Sequence, residues 1–242
     1  LKDSLTRWMD FRYRYIEISK RTVLYSNKFP KKLCADARKG LKVLTDKITS
    51  GEDISPYLSK TVWMNDTSSK KAKFRTDALW ADFGITHFHL TDQPIEPGEF
   101  FAPRSDWLLL CLAFSDTICC IDIKNHDELY LYTNPEILQV IADSFPSYME
   151  RFELKGITGL NIEDELDANA VSSLRKAAVN SCYTINGKVY RAPGGGFVSA
   201  GLPLNVVWQA KKIHNTIISV VDELLDQSTA IGGYLKNAGV LQ

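Results

Sequence analysis

Two apolar runs separated by two polar, turn-prone residues are the feature that most constrains the fold of this chain. Trp107 to Phe114 reads WLLLCLAF and Thr117 to Ile123 reads TICCIDI, with Ser115 and Asp116 between them. Each run has the length of a strand, and a two-residue connection joins antiparallel neighbours. The pattern predicts a hairpin in which Phe114 pairs with Thr117. Counting back along both arms sets Ser105 opposite His126, with Arg104 and Asp106 flanking that pair. The count rests on the turn, because a slip of one residue moves side chains to the other face. Ile85 to Leu90 alternates and predicts a further strand. Its His87 and His89 share one face, and Phe88 and Leu90 take the other.

Three of the four histidines therefore fall in the stretch from Gly84 to Tyr130, together with Arg104, Asp106 and Tyr130. Metal-independent RNA cleavage needs a base for the 2′-OH, an acid for the leaving 5′-oxygen and a cation for the charge on phosphorus. Histidine suits both proton roles, because its pKa lies near working pH. His89 and His126 are the expected acid and base, in either order, with His87 in the same cluster. Arg104 is the expected phosphate ligand. Asp106 is expected to orient a histidine or contact the RNA, and Tyr130 to stack on a base. Two other readings use the same residues. His87, His89 and His126 together make a metal-binding phosphoesterase the alternative, although no carboxylate or Cys spacing completes such a site. A non-catalytic regulatory binding protein with satisfied surface histidines is the other.

The stretch from about 84 to 130 also resembles the RelE-like bacterial ribonuclease toxins, the YafQ branch in particular. The matching pieces are His89-Leu90, then Asp106-Trp107-Leu108-Leu109, then His126-Asp127-Glu128-Leu129-Tyr130. Thr91 to Pro103 is an insertion relative to that family, and the whole chain is far longer than a stand-alone toxin of the type. The resemblance implies an antiparallel sheet of RelE-like type and an endoribonuclease that uses neither metal nor cofactor. It also implies a toxin of a toxin–antitoxin or phage-defence system, with RNA as substrate, ribosome-bound mRNA included, and an antitoxin protein as partner.

The remainder of the chain sets the context. Hydrophobic residues make up 45% and charged residues 24%, ordinary proportions for a folded protein of 242 residues. Formal net charge is zero, yet residues 1 to 80 hold 18 Lys and Arg against 9 Asp and Glu. That excess points either to nucleic acid or to packing against the acidic remainder of the chain. Within it, Lys70, Lys71, Lys73 and Arg75 follow a polar loop and are the candidate phosphate-backbone contacts. Helices are expected over Leu5 to Asn27, Lys31 to Thr49, Pro135 to Phe145 and Asn161 to Val179, the last capped by Asn161. Asn186-Gly187 predicts a type I′ hairpin within Cys182 to Arg191. Pro193 to Gly196 reads as a flexible bend, but no Lys-Ser/Thr follows it, so it is no P-loop.

Leu204 to Leu225 reads as a long helix with apolar residues on more than one stripe, buried on two sides or forming a homodimer interface. Its Gln209, Lys211, Lys212 and His214 argue against a membrane span, and His214 itself reads as a packed or half-exposed helix residue. Trp8, Trp63, Trp80 and Trp208 read as core or interface, and the tail after Gln227 as weakly structured. Five cysteines without metal spacing read as reduced thiols. No signal peptide is visible, the chain begins at Leu1 as though its start were missing or processed, and a cytoplasmic location is expected. The expected architecture is α+β in three regions: a basic helical part (1–80), the ribonuclease-like core (81–155) and a C-terminal helix–hairpin–helix extension (156–242), which could equally form one continuous domain.

Overall fold

A computed structural model describes residues 2–63, 76–157, 166–177, 179–226 and 228–240. Its elements are α1 (Lys2–Arg14), β1 (Thr22–Tyr25), α2 (Ala35–Ser50), β2 (Thr86–His89), β3 (Trp107–Ala113), β4 (Thr117–Asn125), α3 (Glu136–Ser144), α4 (Pro146–Met149), α5 (Ala168–Lys176), β5 (Cys182–Ile185), β6 (Lys188–Arg191), α6 (Leu204–Leu225) and α7 (Ala230–Asn237). The fold is mixed α+β. β3 and β4 form the expected hairpin, closed where the Phe114 N–H donates to the Thr117 carbonyl at 2.8 Å. β2 pairs antiparallel with β3.

The sheet is not wholly antiparallel, as the sequence suggested. β1 joins the far side of β4 in parallel, giving the order β1-β4-β3-β2. The same finding corrects the single helix expected over Leu5 to Asn27. α1 stops at Arg14, and Thr22, Val23 and Tyr25, β-branched or aromatic, pair with Thr117, Ile118 and Cys120. Ile118 and Cys120 are fully buried, so without β1 their outward N–H and C=O groups would have neither water nor protein to bond. The helical spacing holds only for the first part of the segment: Met9 packs on Val206 and Ala210 of α6, whereas Ile16 joins the core beneath the sheet.

Both faces of the sheet are covered, which is why the β3 run is apolar throughout instead of alternating. Leu108, Leu110 and Leu112 pack with Ile85, Cys119 and Ile121 against Leu138, Ile141, Met149 and the β5–β6 hairpin. Leu109, Cys111, Ile118, Cys120 and Phe88 pack on the other side against Leu44 and Ile48 of α2. Burying each such side chain stabilises the fold by about 1.5–3 kcal/mol. Gly40 lets α2 press on the end of β2, since a Cβ there would collide with the Leu90 carbonyl. The two cores run across residues 80 and 155, so all three expected regions contribute to them.

The β3–β4 ladder breaks once. Cys111 pairs with Cys120, but Leu110 pairs with Asp122, leaving Ile121 as an extra, unpaired residue. This β-bulge shifts every later pairing by one and turns the rest of β4 over. The switch is visible in the packing: Ile118 and Cys120 lie on one face, and then Ile123 joins them in place of Asp122. Asp106, rather than Ser105, therefore stands opposite His126, whose N–H donates to the Asp106 carbonyl at 2.6 Å. The bulge is braced from β1: the Ser26 hydroxyl donates to the free Ile121 carbonyl at 2.6 Å, and the Ser26 N–H to the Cys120 carbonyl at 2.9 Å.

The C-terminal part differs from its sequence reading in three places. α5 begins at Ala168, with Asp167 Oδ1 accepting from the Ala170 N–H at 2.7 Å; Asn161 lies outside the described residues. The β5–β6 hairpin forms, with Asn186 and Gly187 at φ 51° and 73°, as a type I′ turn requires. Pro193 to Gly196 is no loose bend: the Gly194 and Gly196 N–H groups donate to the Asp82 and Ala81 carbonyls, and a Cβ on Gly194 would collide with the Trp80 carbonyl. The tail after Gln227 contains a helix, α7, capped by the Thr229 hydroxyl. α6 spans its expected residues, and no described helix is long and apolar enough to cross a membrane. All five cysteines are free thiols, with Cys119 and Cys120 on opposite faces. Trp8, Trp63 and Trp208 are mostly exposed, so among these only Trp80 packs partly into a core.

Candidate functional site

The bulge brings the three histidines to one face. His87 pairs with Leu110 and His89 with Leu108, both on the side of β3 that carries Asp106. Beyond Ile121, Lys124 and His126 lie on that side too; an unbroken ladder would have put His126 on the opposite one. The imidazoles form a row. His87 and His89 have ring centroids 6.1 Å apart, and His89 and His126 stack at 6.1 Å with an interplanar angle of 22°.

The row is graded in burial. His87 and His89 are buried, His89 being 5% exposed, whereas the His126 side chain is 40% exposed. Arg104 and Asp106 are exposed, Arg104 near enough to act on His89 through its charge and Asp106 opposite His126 on the ladder. His126, Arg104 and Asp106 thus form a solvent-facing rim, and His87 and His89 form its floor. Burial, together with the neighbouring His87, lowers the His89 pKa to about 4 despite the contact of Nδ1 with the Ser105 carbonyl at 3.3 Å. Arg104 and His126 act in the same direction. His89 is therefore neutral at pH 7. With Nδ1–H directed at the Ser105 carbonyl, Nε2 keeps its lone pair. His126 Nδ1 lies 3.5 Å from the Asp127 carboxylate.

Beneath the floor lies a group the sequence reading passed over. Asp77 Oδ2 lies 3.0 Å from His87 Nδ1, both side chains being buried. The two atoms are in close contact, although Nδ1 has no partner in hydrogen-bonding geometry. Burial would raise the Asp77 pKa, but His87, Arg14 and the backbone N–H of Trp80 outweigh it and hold the carboxyl at about 2. The other oxygen caps the helical turn Leu79–Phe83, accepting from the Leu79 and Trp80 N–H groups at 3.0 and 3.3 Å. Arg14, brought in by α1, bonds Asp10 Oδ2 at 3.1 Å, the Thr61 carbonyl at 3.1 Å and the Thr61 hydroxyl at 2.5 Å. Asp77 ahead of an apolar segment is a legible N-cap signal. Arg14 had no signal, since its place depends on how α1 packs.

The expected aromatic is displaced. Tyr132 sets its ring edge-on to His87, with centroids 6.2 Å apart, and burial raises its pKa. Tyr130 instead occupies a left-handed turn (φ 62°) and lines a separate cleft of about 580 Å³ with Asn134, Gln139 and Tyr183. Arg175 fixes Tyr132 by donating to its carbonyl, while also bonding Asp82 at 2.7 Å. Lys124 is a further cation on the face of His126, held by Glu128 at 2.9 Å and Asp122 at 3.4 Å. Lys70, Lys71, Lys73 and Arg75 lie outside the described residues. His214 is half-buried on α6, away from the row.

Among the described residues, no group of three or more His, Cys, Asp or Glu side chains is placed to hold a metal ion. Comparison with protein families, with curated proteins and with solved structures finds no match for the chain.

Proposed function

We propose that this protein is a metal-independent endoribonuclease that cleaves RNA by attack of the ribose 2′-OH. The observation that carries the reading is the stacked pair His89–His126, one imidazole neutral and sheltered, the other open to solvent, with exposed Arg104 beside them. His89 takes the base role and His126 the acid role. The 2′-oxygen attacks phosphorus as its proton passes to a neutral imidazole, and the 5′-oxygen leaves with a proton from the second ring, which has to enter the step as imidazolium and leaves it neutral. Arg104 neutralises the charge that builds on the phosphoryl oxygens. Asp77 and His87 position the floor, and Asp106 fixes the height of His126 through its backbone carbonyl. The products are a 2′,3′-cyclic phosphate and a 5′-hydroxyl.

The local resemblance to RelE-like toxins over residues 84–130 supports the same chemistry, a RelE-like local fold and the role of a toxin in a toxin–antitoxin or phage-defence system. In that reading the protein works in the cytoplasm on RNA, ribosome-bound mRNA included, and is held in check by an antitoxin protein. Lys70, Lys71, Lys73 and Arg75 contribute phosphate contacts.

Expression of the wild type and of His126→Ala in a bacterial host tests the reading, with growth and RNA integrity followed together. The expected result is arrested growth with fragmented RNA for the wild type and neither for the variant. Arrest with intact RNA, or equal fragmentation by both, would overturn it.

A further inference from the structure

The seam that holds α1 against α6 continues past the end of α1. Val206, Ala210, Ile213, Ile217, Val220 and Leu224 recur at alternating steps of four and three, the spacing of a helix–helix seam. Its first half is occupied: Val206 and Ala210 are buried against Met9, with Leu5 and Ile213 beside them. Its second half is open. Ile217 and Val220 are 51% and 49% exposed, and beside them Ile218, Val221 and Leu225, at 45%, 44% and 57%, form an apolar ridge on the flank that also carries Val207 and His214. Alongside the occupied half runs a mainly apolar groove of about 400 Å³, lined by Leu5, Val207, Ala210, Lys211 and His214. One helix therefore presents an apolar ridge at one end and an apolar groove at the other.

A ridge and a groove on the same helix are what a two-fold interface needs, since each copy supplies both parts. From this and from the charges, we infer that the protein forms a homodimer by antiparallel pairing of α6 about an axis passing between Thr216 and Ile217. In that register Ile218 of one copy lies level with Asn215 of the other, and Leu225 comes level with Trp208, next to Val207 at the end of the groove. The charges select the same arrangement. Lys211 and Asp222 are both exposed, and they are separated by three turns at about 3.6 residues each, so they lie on the same side of the helix, bordering the ridge of Ile218 and Leu225. The two-fold sets Lys211 of each copy opposite Asp222 of the other, which makes the pair twice. A parallel arrangement would set like charges level with one another. The inference is independent of the chemistry proposed for the histidines.

The test is the mass in solution of the full chain by light scattering after gel filtration, together with RNA cleavage as a separate readout. The wild type is expected at twice the 27.3 kDa of one chain. Ile218→Glu with Val221→Glu, both at exposed positions, is expected at the single-chain mass with an unchanged circular dichroism spectrum. Lys211→Glu alone and Asp222→Lys alone should each weaken the dimer by roughly tenfold, and the double reversal should restore it. A monomeric wild type, or a dimer indifferent to Ile218→Glu with Val221→Glu, would overturn the interface. Failure of the double reversal to restore the dimer would overturn the antiparallel register.

Discussion

The two halves of the β3–β4 ladder are built from the same kinds of residue and end differently. From the Ser115–Asp116 turn to Cys111–Cys120, the ladder is regular and both faces are buried in cores. From Leu110–Asp122 onward it is shifted by one, and the strands end in Arg104, Asp106, Lys124 and His126. The turn half is fold alone. The far half owes its row of histidines to one extra residue, because the bulge at Ile121 sets His126 on the face of His89. The cost of such an irregularity is an unpaired carbonyl, and Ser26 from β1 offsets it.

The largest expected contrast between the halves is catalytic. His126→Ala should lower RNA cleavage by about 10²–10⁴-fold while the protein stays folded. Ser115→Ala at the turn and His214→Ala on α6 should both stay near wild type. Equal losses in all three would erase the distinction between the halves. Next is the floor. Asp77→Asn removes the buried carboxylate that His87 contacts and should destabilise the fold by up to about 3 kcal/mol in urea unfolding. A loss under about 1 kcal/mol would mean the carboxylate is a helix cap only, since Asn also caps.

Acid should then act on the far half first. His89 is held at about 4, below the usual histidine value, so the unfolded chain binds its proton before the folded one does. The stability this group contributes is whole above about 6.5 and is lost as pH falls toward 4, up to about 3 kcal/mol. Asp77, held at about 2, contributes stability that is present above the usual carboxylate range and lost as pH falls through 2. His89→Gln should flatten the first window and leave the second. An unchanged slope between 6.5 and 4 would move the acid sensitivity elsewhere. A smaller effect is expected at the brace. Ser26→Ala strands a buried carbonyl and should cost about 1–3 kcal/mol, while lowering activity more than Thr117→Ser does.

Much of this was legible beforehand. Strand identity, the turn at Ser115–Asp116, the shared face of His87 and His89, the type I′ hairpin and the span of α6 all follow from local pattern. The convergence of His126 on Asp106 was legible to within one residue. The missing residue is the bulge, which leaves no local mark because Ile121 fits a regular strand equally well. β1 was hidden for a related reason: its four residues form a strand only because β4 has an edge to fill. Asp77, Arg14 and Tyr132 reach the site through tertiary packing, which spacing along the chain does not encode.

His126, turned over by the bulge, is proposed to work with His89 on RNA without a metal. The most direct test is the 3′-end chemistry of RNA cut by the purified full chain in EDTA, wild type beside His126→Ala. The wild type should give 2′,3′-cyclic phosphate ends, undiminished by EDTA, and the variant almost none. Cleavage that EDTA abolishes, or 3′-hydroxyl ends, would contradict it.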